Sequence, residues 1–538
     1  MTEDPRRGKG PGGVAPSRPW PFLVLALGLL GVGISFWRPI PAGVWHDDGV
    51  YMLIGESLAQ GEGLRYLGVP ANPPAVKFPP LYPAVLGILW MMLGSVGPVT
   101  LVAVWLNLVL MATAGGLLGW VLHEGAGIRK GPAVAIAALA FVSADLWRPA
   151  LVPLSEALFI ALSAGAMAAW PAASRVGDRR GAVTLSVLLA LAVLTRSAGL
   201  ALVVGFGTAL LLRRSGRAAL SVCAPALAAA ASWAAWASAH ADEIPPGMRD
   251  VLGPYGAWLA GQVWSAPGAF VGGLPAHTAD LAGRVLGLLV PGLLGWPLWV
   301  AGLPLLALAA AGVLRLCRRF PPLVWVPAFY LAMLLTWPFV DRRLVAPVHP
   351  WIVALVGVGI LSLADRWSAR GLRWGLGVVA FAWISSHTAV TASRAAGGWP
   401  VAAYQLRSVR LAAAVEALRN TAPEDAVVGA PEFWAALHLH GGWSAAPSAR
   451  FTPRADDVAK PLWGTPMEQL QLWWDSGVDF VLLEQGGQIH GAALDLLDER
   501  CPGAVRLMAD FPPQLLVRLD WDEACAESLG LTHGPANR

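Results

Sequence analysis

The chain has 538 residues, of which 56% are hydrophobic and only 13% charged, with a formal net charge of +4. A soluble protein carries about a quarter charged residues, so a water-soluble globular enzyme is excluded. Several apolar runs approach the roughly 20 residues needed to cross a bilayer, which predicts a polytopic membrane protein. Lysine and arginine fall in short clusters between those runs, as in cytoplasmic loops. The basic stripe with interleaved aromatics that would argue for nucleic acid is missing.

In chain order, residues 1–19 are basic and rich in Gly and Pro, which predicts disorder. Arg6, Arg7, Lys9 and Arg18 place them in the cytoplasm. An uncleaved first helix over about 20–40 leads outward. The first external loop, about 41–97, then opens with the adjacent acids Asp47 and Asp48 and continues through Tyr51 and Glu56 to Lys77-Phe-Pro-Pro-Leu-Tyr-Pro. Carboxylates held just outside a membrane helix are too costly to be kept for packing alone. Residues 80–94 are apolar but short and begin with prolines, which reads as a helix lying in the outer interface.

Spans follow over about 98–122, 131–147 and 154–172. Residues 182–212 split at Thr195-Arg196-Ser197 into two short helices that meet near the outer side, and a further span covers about 218–238. A Pro/Gly-rich loop at about 240–288 leads to a span ending at Arg315, Arg318 and Arg319. Three more spans run over about 322–340, inward to Arg366, Arg370 and Arg373, and out over about 374–393. The total is about eleven, with a cytoplasmic N-terminus and an external C-terminus.

From about 395 the pattern changes to alternating elements: helices at 405–420, 465–476 and 491–500, strands at 426–429 and 478–484, and a final β-like stretch. This predicts a small extracytoplasmic α/β domain over 395–538, after a transmembrane domain over 20–394. Of the four cysteines, Cys223 and Cys317 fall in or beside apolar spans. Cys501 and Cys525 lie in the tail, where a disulfide can persist; the alternative is two buried thiols. No CxxC or Cys/His metal pattern is present.

Asp47 and Asp48 carry the strongest chemical signal. One carboxylate can deprotonate an acceptor hydroxyl or amine, and the other can orient the substrate or hold a divalent cation. The plain alternative is a hydrated loop acid near a helix end. His46 is a candidate proton partner or metal ligand, or a hydrogen-bonded structural residue. Lys77 can hold a phosphate as a point charge, or snorkel to the interface. Glu156 sits at the mouth of a span as a functional acid, or as a residue favoured by the helix dipole. Arg196 interrupts an apolar run, where an unpaired charge is expensive, so an anionic partner is expected. Arg342 and Arg343 can clamp a lipid-linked phosphate through forked donors, or anchor a helix at the interface.

Taken together, Asp47-Asp48-x-x-Tyr51, Leu58-x-x-Gly61, Lys77-x-Pro79-Pro80-Leu81-Tyr82-Pro83, Ser155-Glu156-Ala-Leu-Phe159, Leu194-Thr-Arg196 and Arg343-Leu-x-x-Pro347-x-x-Pro350 resemble the GT-C superfamily. Their closest likeness is to its protein-mannosyltransferase and aminoarabinose-transferase branch, glycosyltransferase families 39 and 83. The resemblance covers about the first 360 residues. It implies a GT-C-like helical membrane fold and inverting transfer of a sugar from a polyprenyl-phosphate donor to a lipid, glycan or protein acceptor at the outer face. It also implies Asp47 as base with Asp48 as partner, and His46, Tyr51, Lys77, Tyr82, Glu156, Arg196, Arg342 and Arg343 as substrate contacts. No cofactor beyond the donor is required, and a divalent cation at Asp47 and Asp48 stays open. Trp473-Trp474-Asp475 spells the acceptor motif of oligosaccharyltransferases but lies in an amphipathic helix of the tail, which reads as coincidence. High Ala, Gly, Arg and Trp content points to a GC-rich bacterium, hence to its inner membrane and cell envelope. The competing readings are a transporter or flippase for lipid-linked substrates, against which no inverted repeat is found, and a non-catalytic envelope assembly protein.

Overall fold

The computed structural model describes residues 19–531 except 46, 176, 214, 266, 292–297, 338–340, 367–369, 399–400, 432, 448–451, 455–456, 463–464 and 485–487. The expected disorder of residues 1–18 and the role of His46 lie outside the described residues.

Helix α1 (Trp20–Phe36) is followed by two short helices, α2 (Asp47–Ala59) and α3 (Leu81–Leu93), before the long α4 (Val96–Trp120), against which α1 lies. Helix α3 has 13 residues. At 1.5 Å per residue that is about 20 Å, short of the ~30 Å hydrocarbon core. Pro79 and Pro80 precede it and Pro83 sits in its first turn, where a missing N–H removes no helical bond. Gly94 closes it in the left-handed region at φ 69°.

Helices α5 (Lys130–Val142) and α6 (Ala144–Trp147) replace the single straight span predicted over 131–147, with a bend of 68° at Ser143. The Trp147 indole donates to the Phe141 carbonyl at 2.7 Å, taking up an acceptor that the bend frees. Next come α7 (Glu156–Ala173), α8 (Arg179–Thr195), α9 (Gly199–Leu212) and α10 (Gly216–Ala239). Helices α8 and α9 form the split pair, parted where the Arg196 backbone is extended at φ −151° and ψ 139°.

The predicted loop at 240–288 is instead largely helical: α11 (Arg249–Leu252), α12 (Tyr255–Ser265) and α13 (Pro267–Leu289). Pro267 takes the first position of α13, where no N–H is needed. The carbonyl of Leu289 at its end accepts from Trp383 Nε1 at 2.6 Å and His387 Nε2 at 2.8 Å.

The bundle is completed by α14 (Leu298–Arg319), α15 (Pro322–Thr336), the short α16 (Arg342–Val345), α17 (His349–Arg366) and α18 (Arg370–Ala396). A Cβ on Gly312 would overlap the Leu355 carbonyl, and one on Gly359 the Leu308 carbonyl. Helices α14 and α17 thus meet backbone to backbone, as small residues allow in a membrane. Among the described residues, four helices, Val96–Gly125, Glu156–Ala173, Gly216–Glu243 and Trp374–Ala396, are long and apolar enough to cross a membrane, or five if the bent pair counts as one. The remaining predicted spans coincide with helices outside this group.

The tail contains α19 (Val401–Thr421), β1 (Val427–Ala430), α20 (Trp434–Gly441), β2 (Ser444–Pro447), β3 (Thr452–Arg454), β4 (Asp457–Leu462), α21 (Pro466–Asp475), β5 (Phe480–Glu484), α22 (Gln488–Arg500), β6 (Val505–Phe511), β7 (Gln514–Leu519) and α23 (Glu523–Ser528). A five-stranded sheet runs β2-β1-β5-β7-β6, with β1 parallel to β2 and β5, and β7 antiparallel to β5 and β6. Strands β3 and β4 form a separate hairpin. Cys501 and Cys525 are joined in a disulfide with Cα atoms 5.8 Å apart. Trp473 and Trp474 are buried, packed against His490 and Trp521 respectively. That is a core position rather than an acceptor motif. The tail shares one apolar core with the first loop: Val44, Tyr66 and Val76 belong to the same cluster as Trp434, Trp443 and Val481.

Candidate active site

Five chain segments bring charge to one end of the bundle: the starts of α2 and α7, the α8–α9 break, the turn around Lys77, and α16; the α11–α12 region adds the Val251 carbonyl and the Tyr255 ring. At the opposite end Gly127 packs against the Arg319 guanidinium, and Arg315 pairs with Asp365 at 2.9 Å.

Asp47 is the first residue of α2. Its Oδ2 accepts from Arg343 Nη2 at 2.5 Å, and Arg343 Nε lies 3.2 Å from Glu156 Oε1. Arg196 Nη1 reaches that same Glu156 oxygen at 2.8 Å. Glu156 is fully buried, while Asp47 and Arg343 are each 17% exposed, so the Asp47 side of the chain is the one open to a substrate. Burial works against the Arg343 charge, but Asp47 and then Glu156 outweigh it and hold the guanidinium more firmly protonated than usual.

Arg196 Nη1 also donates to Ser155 Oγ at 3.0 Å, and that hydroxyl meets the Tyr51 phenol at 3.0 Å. Tyr51 packs on Phe78 and edge-on to Tyr82, with ring centroids 4.8 and 5.2 Å apart. Asn107 Nδ2 donates to the Tyr82 hydroxyl at 3.3 Å and to the carbonyls of Val152 and Leu154 at 3.0 and 3.3 Å. Tyr82 is therefore a buried support behind Tyr51, not a group at the opening. Burial pushes the Tyr51 phenol above its ordinary range, so it stays a neutral donor.

Lys77 Nζ donates to the Val251 carbonyl at 2.7 Å and lies 4.5 Å from the Tyr255 ring centroid. Burial pulls its pKa down to about 8; Asp47 opposes that shift and Arg343 adds to it.

Two neighbours of cluster residues face elsewhere. Asp48 is fully buried, and its carboxylate accepts from the Gly43 N–H at 2.8 Å and the Trp45 N–H at 3.0 Å. Arg342 Nη1 is turned toward Asp145, 3.8 Å away, whose other oxygen holds Arg394 at 2.7 Å. Ser155, Asn107, Tyr255 and Asp145 are not singled out by the sequence as site residues. Asn107 and Asp145 carry the missed signal, a polar side chain inside an apolar run.

Burial raises the Asp48 pKa from 3.8 to about 6, against the hydrogen bonds from Gly43, Gly49 and Trp45 that lower it. The folded state then holds its proton more tightly than the unfolded chain. Stability from this group is greatest below pH 3.8, falls as pH rises to about 6 and is flat above that. The loss is on the order of 3 kcal/mol. Asp48→Asn lacks this titration, so its melting-temperature deficit relative to wild type is expected to be largest near pH 4 and to shrink by pH 7. Parallel melting curves for the two proteins across that range would contradict this assignment.

A divalent cation does not fit these donors. Asp48 is turned to backbone amides and Asp47 to a guanidinium, and among the described residues no three His, Cys, Asp or Glu side chains converge on a point.

The fold of the chain is similar to those of solved glycosyltransferases. The crystal structure of ArnT from Cupriavidus metallidurans bound to undecaprenyl phosphate matches with a TM-score of 0.54 at 15% identity, over 93% of this chain and 97% of that one. The arabinofuranosyltransferase AftD from Mycobacteria matches at 0.54 and 15% identity, over 95% of this chain and 40% of its own. The oligosaccharyltransferase AglB from Archaeoglobus fulgidus, in complex with an inhibitory peptide and a dolichol-phosphate, matches at 0.51 and 13% identity, over 86% and 69%. No family model and no curated protein sequence matches the chain.

Proposed function

We propose that this protein is an integral membrane glycosyltransferase that moves one sugar from a polyprenyl-phosphate carrier to an acceptor at the extracytoplasmic face of a bacterial inner membrane. One observation carries the reading: a partly buried cluster at one end of the bundle sets three cations, Lys77, Arg196 and Arg343, against two acids, Asp47 and Glu156. That leaves a formal surplus of one positive charge. A polyprenyl-phosphate sugar is a phosphodiester with one negative charge, and breaking its sugar–phosphate bond leaves a monoester with more. Fixed cations stabilise that developing charge without reorganising.

In the proposed step an acceptor hydroxyl or amine attacks the anomeric carbon from the face opposite the phosphate. The bond to the phosphate oxygen breaks, the lipid phosphate keeps the electron pair, and Asp47 takes the acceptor proton. The anomeric configuration inverts. Lys77 and Arg343 face the departing phosphate, while Glu156 and Arg196 hold Arg343 in place. Asp48 shapes the turn before Asp47 rather than sharing its chemistry. The transmembrane part over 20–394 would carry this site and the tail over 395–538 would complete its outer wall.

The testing assay is transfer of radiolabel from a panel of polyprenyl-phosphate sugars to a whole envelope extract by the purified protein in liposomes. Transfer supports the reading; movement of the lipid substrate between leaflets without transfer would instead establish the flippase. Within that assay Lys77 gives a pH signature. Its charge in the free protein is lost as pH rises through about 8, so the donor KM is expected to climb above pH 8 in wild type and to stay level in Lys77→Arg. Below pH 8 Lys77→Gln is expected to raise the donor KM about 10- to 100-fold, the worth of one hydrogen bond to a charged group, and the gap from wild type is expected to narrow above it. A wild-type KM that is flat from pH 7 to 9.5 would remove Lys77 from donor binding.

A further inference from the structure

We infer that the C-terminal domain is a working part of the site: its helix α20 fixes the turn over 42–45 that precedes Asp47, and Ala436 and His440 are positioning residues for transfer. The inference rests on the reading of Asp47 as the base.

The turn is gripped from the tail on more than one side. Gly43 adopts φ +87° and lies so close to α20 that a Cβ on it would sit 2.5 Å from Ala436 Cβ and 2.8 Å from Ala436 Cα. A Cβ on Gly49, in the first turn of α2, would sit 2.9 Å from Ala435 Cβ and 2.8 Å from Gly43 Cα. His440 Nε2 donates to the Ala42 carbonyl at 2.9 Å, so the residue before Gly43 is pinned as well. Further along the loop, Gly68 presses on the His438 ring, and its carbonyl accepts from the Ala445 N–H of β2 at 2.6 Å. On the other side of the turn, the Trp45 ring lies 5.2 Å from Tyr404 of α19 and under the Arg148 guanidinium at 4.4 Å.

The path to the reacting group is short. Asp48 ties the amides of Gly43 and Trp45 to the start of α2, and Asp47 is the adjacent residue. A shift of Ala42 or Gly43 therefore moves the Asp47 carboxylate against Arg343. Misplacing a catalytic group by about 1 Å can lower a rate about 100-fold. None of the α20 side chains named reaches the charge cluster, so their effect passes through the turn. A small residue at 436 and a donor at 440 are the features required; Lys77 and Arg196 lie outside the turn, so donor binding is left largely intact.

The test compares full-length wild type with Ala436→Leu, His440→Leu and His440→Gln in the transfer assay, with active molecules counted by titration with polyprenyl phosphate. Ala436→Leu and His440→Leu are expected to lower kcat per lipid-binding site by about tenfold or more while donor KM moves by less than about threefold. His440→Gln, whose amide can donate to the Ala42 carbonyl, is expected to recover most of kcat. Should Ala436→Leu fail to fold, the His440 pair decides. A kcat per site equal to wild type in His440→Leu, or a loss that glutamine does not restore, overturns the positioning role while an active wild type keeps the glycosyltransferase reading. Absence of transfer by wild type overturns that reading first.

Discussion

Asp47→Asn is expected to lower kcat for sugar transfer by about 10²- to 10⁴-fold, the usual contribution of a positioned general base. Asparagine keeps an oxygen that can accept from Arg343, so the ion-pair geometry is approximated while the proton acceptor is lost. Donor KM should therefore change little, and the protein should be recovered from membranes in normal amount. Asp48→Asn makes the discriminating comparison. Its carboxylate faces the Gly43 and Trp45 amides, so its loss should show mainly in stability, with a smaller fall in rate. The measurement is initial-rate transfer with saturating donor, for both variants side by side. Equal rates for Asp47→Asn and wild type would take the first acid out of the chemistry, and a deeper loss in Asp48→Asn than in Asp47→Asn would reverse the roles assigned here.

Arg343 is the second position with a large expected effect, because it serves two acids at once. Its guanidinium bridges Asp47 and the fully buried Glu156. Arg343→Leu leaves one of those acids without its main countercharge at the opening and the other with Arg196 alone. Breaking one partner out of a buried ion pair costs about 3–5 kcal/mol. Arg343→Leu is expected to abolish transfer and to lower the melting temperature markedly. Arg343→Lys should keep much of the stability but not the rate, since an ammonium cannot span both carboxylates as a planar fork does. Adding Asp47→Asn to Arg343→Leu removes the acid that has lost Arg343 while keeping the Glu156–Arg196 pair, and should restore part of the lost melting temperature without restoring transfer. If the double variant melts no higher than Arg343→Leu, the shared-countercharge account fails.

Which parts of this could be read from the chain follows from where charge is expensive. Asp47, Glu156 and Arg196 stand out because each interrupts or borders an apolar run; the structure joins Asp47 to Glu156 through Arg343, and Arg196 to that same Glu156. What the sequence left open was the choice between neighbours. Successive residues of a helix point about 100° apart, so of two adjacent acids only one can face the opening. Which one depends on amides at Gly43 and Trp45 that no pattern announces. Arg342 and Arg343 divide in the same way, one toward Asp145 and the other into the cluster.

The α13 helix is hidden because Pro267, Pro275 and its glycines read as loop signals, whereas Pro267 takes the first helical position, where no N–H is needed. The bend at Ser143 depends on a tryptophan capping a carbonyl six residues earlier. Helix α20 was missed because its eight residues are too few to show a period, although it is the element that touches the first loop most closely.

The core shared by that loop and the tail has a consequence in time. Ala42 and His440 are 398 positions apart in the chain, and at about 5–20 residues per second a ribosome needs roughly 20–80 s to travel between them. Throughout that interval the nascent loop holds its acids and its apolar face without the surface that orders them. If α20 positions Asp47 as inferred above, the tail domain, made after the cluster, acts as a completion signal: a product truncated before it would carry every charged residue of the cluster and still lack an aligned Asp47. Synthesis itself becomes the step that arms the protein.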